Sequence, residues 1–260
     1  MLTALHLDGA ERPVAVLLEG PALRLRRPAV ADAFAPLARL ARVVVHGTRV
    51  QWRTEALLAC LEAGVPVAFL GRRGTLAGLL LPLRPPSQRA GLAAALDAAA
   101  ALPGFRRRLE DLCRAEERRA LLAALRAGPG WNCAELRPEI VRRLAAAHAP
   151  VPAAAEAVLA LLRGLAAALV AEELARQGVG PNFLVRRSGG FPLAERLGDA
   201  LAWQVWPQTL ALLARAGAAD AERPTPALRR AAIAALEGAG LRPACQQMLA
   251  RLAAAVGSEV

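Results

Sequence analysis

Residues 43–82 read VVVHGTRVQWRTEALLACLEAGVPVAFLGRRGTLAGLLLP, and the periodicity changes three times along them. The opening valines are a short apolar β-branched run, the pattern of a strand buried on both faces. After Gly47, WRTEALLACLEAG sets Leu57, Leu58, Cys60 and Leu61 at helical spacing and stops at Gly64. Glycine ends helices well because the left-handed backbone conformation there costs it nothing. VPVAFLG then returns to a strand pattern, and the glycine-flanked stretch through Gly74 and Gly78 predicts a hairpin. The arginines in this stretch, Arg49, Arg53, Arg72 and Arg73, fall at the edges of the unit or in the hairpin. No obvious catalytic nucleophile stands out in this stretch.

Outward from this unit the texture differs on the two sides. Towards the N-terminus, MLTALHLDG, RPVAVLLEGPALRLRRP and ARVVVHG are strand-like runs separated by Gly and Pro. Towards the C-terminus, RPPSQRAG breaks the pattern, and every later segment is helical. These are GLAAALDAAAAL, FRRRLEDLCRAEERRALLAALRAG, RPEIVRRLAAAHA, AAAEAVLALLRGLAAALVAEELARQG, FPLAERLGDALAWQVWPQTLALLARAG, TPALRRAAIAALEGAG and RPACQQMLARLAAAVG. Most start after Pro or Thr and stop at Gly, the usual asymmetry of helix ends. The expected fold class is α+β. A small β-rich domain with one helix is expected over 1–83, and an all-α domain of six or seven helices over 84–260. At 260 residues and 55% hydrophobic, the chain can bury one large core or two modest ones.

The 33 basic residues are all arginine and outnumber 22 acidic ones, leaving a formal charge of +11. A GC-rich genome explains arginine in place of lysine and the absence of tyrosine, but not the excess of positive charge. That excess is the footprint of a polyanion binder, most often of nucleic acid. The four cysteines, Cys60, Cys113, Cys133 and Cys245, lie far apart and fit neither a zinc site nor a disulfide framework. The N-terminus does not read as a secretory signal. The most apolar stretch carries Glu156 and Arg163, so it reads as a buried helix rather than a membrane span, and the expected location is cytoplasmic.

Common catalytic templates are not met: there is no G-x-S-x-G, Walker loop, H-E-x-x-H or dinucleotide glycine fingerprint. His6, His46 and His148 stand apart in sequence and read as packed or capping side chains. RRSGG, residues 186–190, offers Arg186, Arg187 and backbone N–H groups to a phosphate, or is a solvated turn. Glu116 and Glu117 sit in a basic helix, while Glu195 and Asp199, four apart, share a face of a later one. Glu116, Glu195 and Asp199 are an oxygen set of the kind that holds Mg²⁺ or Mn²⁺. The plainer alternative is an ion-pair network with Arg118, Arg119 and Arg196. Trp203 and Trp206 read as a core or interface stripe, with base stacking as the alternative.

The order of segments resembles the CRISPR-associated endonuclease/integrase family of spacer acquisition. The first family block is kept here as Gly47, Thr54, GVPVAFL, and Gly74 with Gly78; the second is kept as GVGP, FLV and LAERLGDALA. The resemblance runs over nearly the whole chain, and the N-terminal block is its most specific part. It implies a β-domain followed by a helical domain, a dimer, and a partnership with a small ferredoxin-like adaptation subunit around double-stranded DNA. It also implies a glutamate, a histidine and an aspartate that bind a divalent metal and activate a DNA 3′-hydroxyl.

Carried over position by position, the family glutamate falls on Glu116, followed by Glu117 where a glycine is usual. The histidine falls on Val185, or on Arg187 without a gap after Pro181, and the aspartate falls on Arg196, with the later acidic position on Asp199. Neither valine nor a guanidinium donates electrons to a metal. The resemblance therefore implies a degenerate member that keeps DNA binding, through Arg118, Arg119, Arg186, Arg187 and Arg196, and lacks a metal cofactor. The alternatives are an active integrase with a rebuilt site at Glu116, Glu195 and Asp199, or an arginine-rich helical scaffold for RNA or protein. The dimer partner on this reading is a second copy or an active paralogue.

Overall fold

The structure is a computed structural model that describes residues 2–10, 12–71, 74–82, 91–127, 152–184, 190–207 and 226–257. Val185, Arg186, Arg187, Cys133 and His148 lie outside them, as does the expected helix RPEIVRRLAAAHA. The chain divides into two compact units, Met1–Gln88 and Arg89–Val260.

The first unit contains two four-stranded sheets. Its strands are β1 (Thr3–Asp8), β2 (Val14–Glu19), β3 (Ala22–Arg27), β4 (Val30–Pro36), β5 (Leu40–His46), β6 (Val50–Trp52), β7 (Val67–Leu70) and β8 (Leu76–Leu80). One sheet runs β1-β5-β7-β8, with β5 parallel to both neighbours and β8 antiparallel to β7. The other runs β4-β3-β2-β6, antiparallel except that β6 runs parallel to β2. All seven residues of β5 are buried, as the valine run predicts. One core joins both sheets through Leu7, Val16, Leu25, Val43, Val45 and Val67.

The one α-helix among the described residues of this unit, α1 (Thr54–Glu62), packs Ala56 and Cys60 into that core. Leu58, expected on the buried face, is 51% exposed. Small side chains let the helix approach the sheets, so they form the inner stripe. Gly64 takes φ +72°, its N–H donating to Leu61 and that of Val65 to Cys60 (3.0 and 2.8 Å), which satisfies the last carbonyls of the helix. A side chain on Gly64 would meet nothing within 4 Å, so only backbone strain opposes one. Gly64→Ala is expected to destabilise the protein by about 1 kcal/mol, read as a lower urea midpoint.

Two strands were not legible in the sequence. β4 is alanine-rich and exposed at the sheet edge, with Phe34 53% accessible, so it shows no buried alternation. β6 has three residues and forms only because β2 offers it an edge.

The second unit is helical: α2 (Gly91–Ala99), α3 (Phe105–Ala127), α4 (Pro152–Arg176), α5 (Leu193–Ala202), α6 (Pro226–Gly238) and α7 (Leu241–Gly257), with a 3₁₀ turn at Pro181–Phe183. α4 is buried nearly all round through Val158, Leu162, Leu165, Leu169, Val170 and Leu174, and it packs against α5, α6 and α7. Among the described residues no helix is long and apolar enough to cross a membrane. The helix expected to run from Phe191 through residue 217 instead stops at Ala202, and a turn at 203–205 leads to Pro207. Proline has no N–H to give an existing helix but fits the first turn of a new one. Trp203 and Trp206 are 2% and 1% exposed, core residues as read.

Candidate functional site

α3 and α5 pack together, and between them lies a recess of about 40 Å³ lined by Glu110, Cys113, Arg114 and Glu117 from α3 and Arg196 and Asp199 from α5. The spacing on α3 explains this lining. Residues 110, 113, 114 and 117 lie three and four apart, on one face.

Glu116 therefore points elsewhere. It is 7% exposed and accepts two hydrogen bonds from Arg251 on α7, Nε at 3.0 Å and Nη2 at 2.7 Å, with Arg119 on its own helix as a further partner. The Arg251 guanidinium is held above its ordinary pKa, chiefly by its hydrogen bonds to Glu116. This fork is a tie between α3 and α7. The residue one place on, Glu117, is the one that reaches the recess.

Asp199 is held as firmly. Arg163, from α4, donates through Nε and Nη2 to the two oxygens of its carboxylate. Burial lowers the Arg163 pKa, but the hydrogen bonds to Asp199 and the charges of Asp199, Glu117 and Glu195 outweigh it, so the guanidinium stays charged. A bidentate guanidinium–carboxylate pair is among the stronger polar contacts in proteins. Cys113 has its thiol pushed up to about 12, first by burial, against the pull of Arg196. It is thus a protonated, unreactive wall of the recess.

The expected metal set Glu116, Glu195 and Asp199 is divided: Glu116 is on the α7 side of α3, while Asp199 faces the recess. Among the described residues no three His, Cys, Asp or Glu side chains are gathered around one point. Of the expected DNA contacts, Arg118, Arg119 and Arg196 are exposed, and Arg107, Arg114 and Arg118 share one face of α3. Sequence reading missed the pairing of Arg163 with Asp199 and of Arg251 with Glu116, and gave Glu117 no role of its own. For Arg163 a signal existed, since a lone arginine inside an apolar helix needs a carboxylate partner. Nothing in the sequence pairs Glu116 with a residue 135 positions away.

His46 is buried, a packed side chain as read. Parallel pairing of β1 with β5 brings His6 Nδ1 within 3.2 Å of His46 Nε2, so these two are neighbours rather than isolated.

Residues 12–107 match the family CRISPR associated protein Cas1. A CAS1 protein from Thermotoga maritima superposes with a TM-score of 0.75 at 10% identity, over 98% of this chain and 97% of that one. The fold is that of Cas1. TtCas1 in its DNA complex gives a TM-score of 0.55 at 18% identity, over 98% and 91% of the two chains. A chain of the Cas6-RT-Cas1–Cas2 complex gives 0.73 at 11% identity, with 99% of this chain covering 35% of that one. No curated protein matches the sequence. The match to the Cas1 family takes in residues 43–82 and ends at the start of α3, before the recess. The fold likeness covers 98% of the chain, while the family-model match stops before the recess.

Proposed function

We propose that this chain is a DNA-binding subunit of a CRISPR spacer-acquisition complex, built as a Cas1-type integrase but with weakened or lost catalysis. The observation that carries the reading is the Cas1 fold along 98% of the chain. The net charge of +11 supports it, with exposed Arg107 and Arg118 on α3 and Arg196 on α5 available to duplex phosphates. A point charge or fork on phosphate positions a duplex without reading its sequence. The solved relatives' complexes with DNA and with Cas2 make a duplex and a small Cas2-like subunit the expected partners. Loss of catalysis rests on Val185 and Arg196, which stand where the family pattern has a histidine and an aspartate.

Phosphate contacts release counterions, so binding must weaken with salt. With two or more contacts, affinity for a labelled duplex is expected to fall about tenfold or more between 50 and 200 mM salt. Arg118→Ala should reduce the slope of log affinity against log salt by about one. An affinity unchanged by salt contradicts the DNA-binding role. With Mn²⁺, no joining of a 3′-hydroxyl duplex to supercoiled DNA is expected, and metal-dependent joining that disappears in Glu117→Ala contradicts the loss of catalysis.

A further inference from the structure

The family resemblance implies a divalent metal between α3 and α5, and the donors that the described residues bring to the recess do not fit one. A divalent cation needs several free oxygens arranged around it. Here both oxygens of Asp199 are taken by Arg163, and Glu110 pairs with Arg114 at 3.4 Å. The carboxylate that the sequence singles out, Glu116, belongs to the Arg251 fork and not to the recess lining. Arg196 adds a second guanidinium to the wall, one helical turn from Glu195 and Asp199 at most. Glu110, Glu117 and Asp199 are thus matched by Arg114, Arg163 and Arg196. Arg114 is shared with Asp111 at 3.3 Å, and an entering cation meets like charge from three helices.

We propose that Arg163 and Arg196 are built-in counter-cations that take the place of a divalent metal in this recess, so that the chain excludes Mg²⁺ and Mn²⁺ from it. The inference rests on the Cas1-type reading and deepens it. Where a metal enzyme would carry an exchangeable ion, Asp199 is held by a fixed guanidinium from α4, Arg163, and the recess wall carries another from α5, Arg196. Chelators and metal supply then have no influence on this part of the protein.

The test is Mn²⁺ titration of the full chain, with free Mn²⁺ followed by its electron paramagnetic resonance signal. The parent protein is expected to leave that signal unchanged in the recess. Arg196→Asp, at an exposed position, removes one counter-cation and adds a carboxylate. Arg196→Asp with Arg163→Gln also frees Asp199. At least one of these variants, shown folded by circular dichroism, is expected to bind one Mn²⁺ per chain at least about tenfold more tightly than the parent. Stoichiometric binding by the parent that Glu117→Gln or Asp199→Asn removes overturns the proposal, and so does the absence of any gain in both folded variants. Duplex binding measured on the same samples separates the two claims. A parent that excludes Mn²⁺ but shows no salt-dependent duplex binding sinks the proposed function and leaves this inference standing.

Discussion

Gly198→Ala is expected to lower stability by about 2 kcal/mol, although helix propensity alone predicts a gain of about 1 kcal/mol for the same change. Gly198 lies in the middle of α5, where a glycine has no reason to be unless something needs the space. A Cβ built on it falls 2.6 Å from both the Cα and the N of Ala167 on α4, and 2.9 Å from its Cβ. Two of those atoms are backbone and cannot rotate away, so the helices must separate. Separation opens the interface lined by Leu197, Leu201, Leu165 and Ala168, all buried. The sign of the effect decides the matter. A denaturation midpoint higher than the parent's means that the close approach does not hold in solution, whereas a fall, deeper still in Gly198→Leu, supports it.

Arg242→Met is expected to be at least as damaging, at about 3 kcal/mol. Glu172 and Glu173 are adjacent on α4 and 1% and 4% exposed. Arg242, at the start of α7, reaches both: Nη2 donates to Glu172 Oε1 at 2.6 Å, and Nη1 donates to Glu173. Arg176 on the same helix bonds Glu172 at 2.9 Å and lies 3.6 Å from Glu173, and Gln246 adds a weak contact at 3.4 Å. Removing the arginine keeps much of the apolar stem but leaves two buried carboxylates to share Arg176. The cost of uncompensated buried charge dominates over the lost pair energy. Arg242 is itself 30% exposed, which places the estimate at the lower end of the range for buried pairs. The check is equilibrium unfolding of Arg242→Met beside Arg242→Met with Glu172→Gln and Glu173→Gln. The triple variant should recover part of the loss, because neutral amides carry no unpaired charge. A single variant within experimental error of the parent contradicts the argument.

The parts of the fold legible in the sequence were those with a strong local signal. The valine run of β5 was legible because it is buried on both faces, and the end of α1 because Gly64 is a chemical necessity there. β4 and β6 were not, since each is a strand only through the neighbour that accepts its hydrogen bonds. At the recess the limit was finer. A shift of one residue along α3 turns a side chain by roughly 100°. The family pattern singles out Glu116, which the structure ties to Arg251 on α7, while its neighbour Glu117 lines the recess. Arg196, singled out on α5 from the sequence, lines the recess. Its counterpart Arg163 was noticed only as an objection to a membrane span.

The contact between Gly198 and Ala167 has a consequence for how this site could change over time. Ala167 lies one turn from Arg163, and Gly198 directly precedes Asp199, so the two residues of this ion pair between α4 and α5 are mounted beside the point where the helix backbones touch. Their mutual position is fixed by main chain, with no adjustable side chain between. The socket is therefore stiff while its fittings are replaceable. Exchanging carboxylates for guanidinium groups, or reversing that exchange, alters what the recess attracts without asking either helix to move.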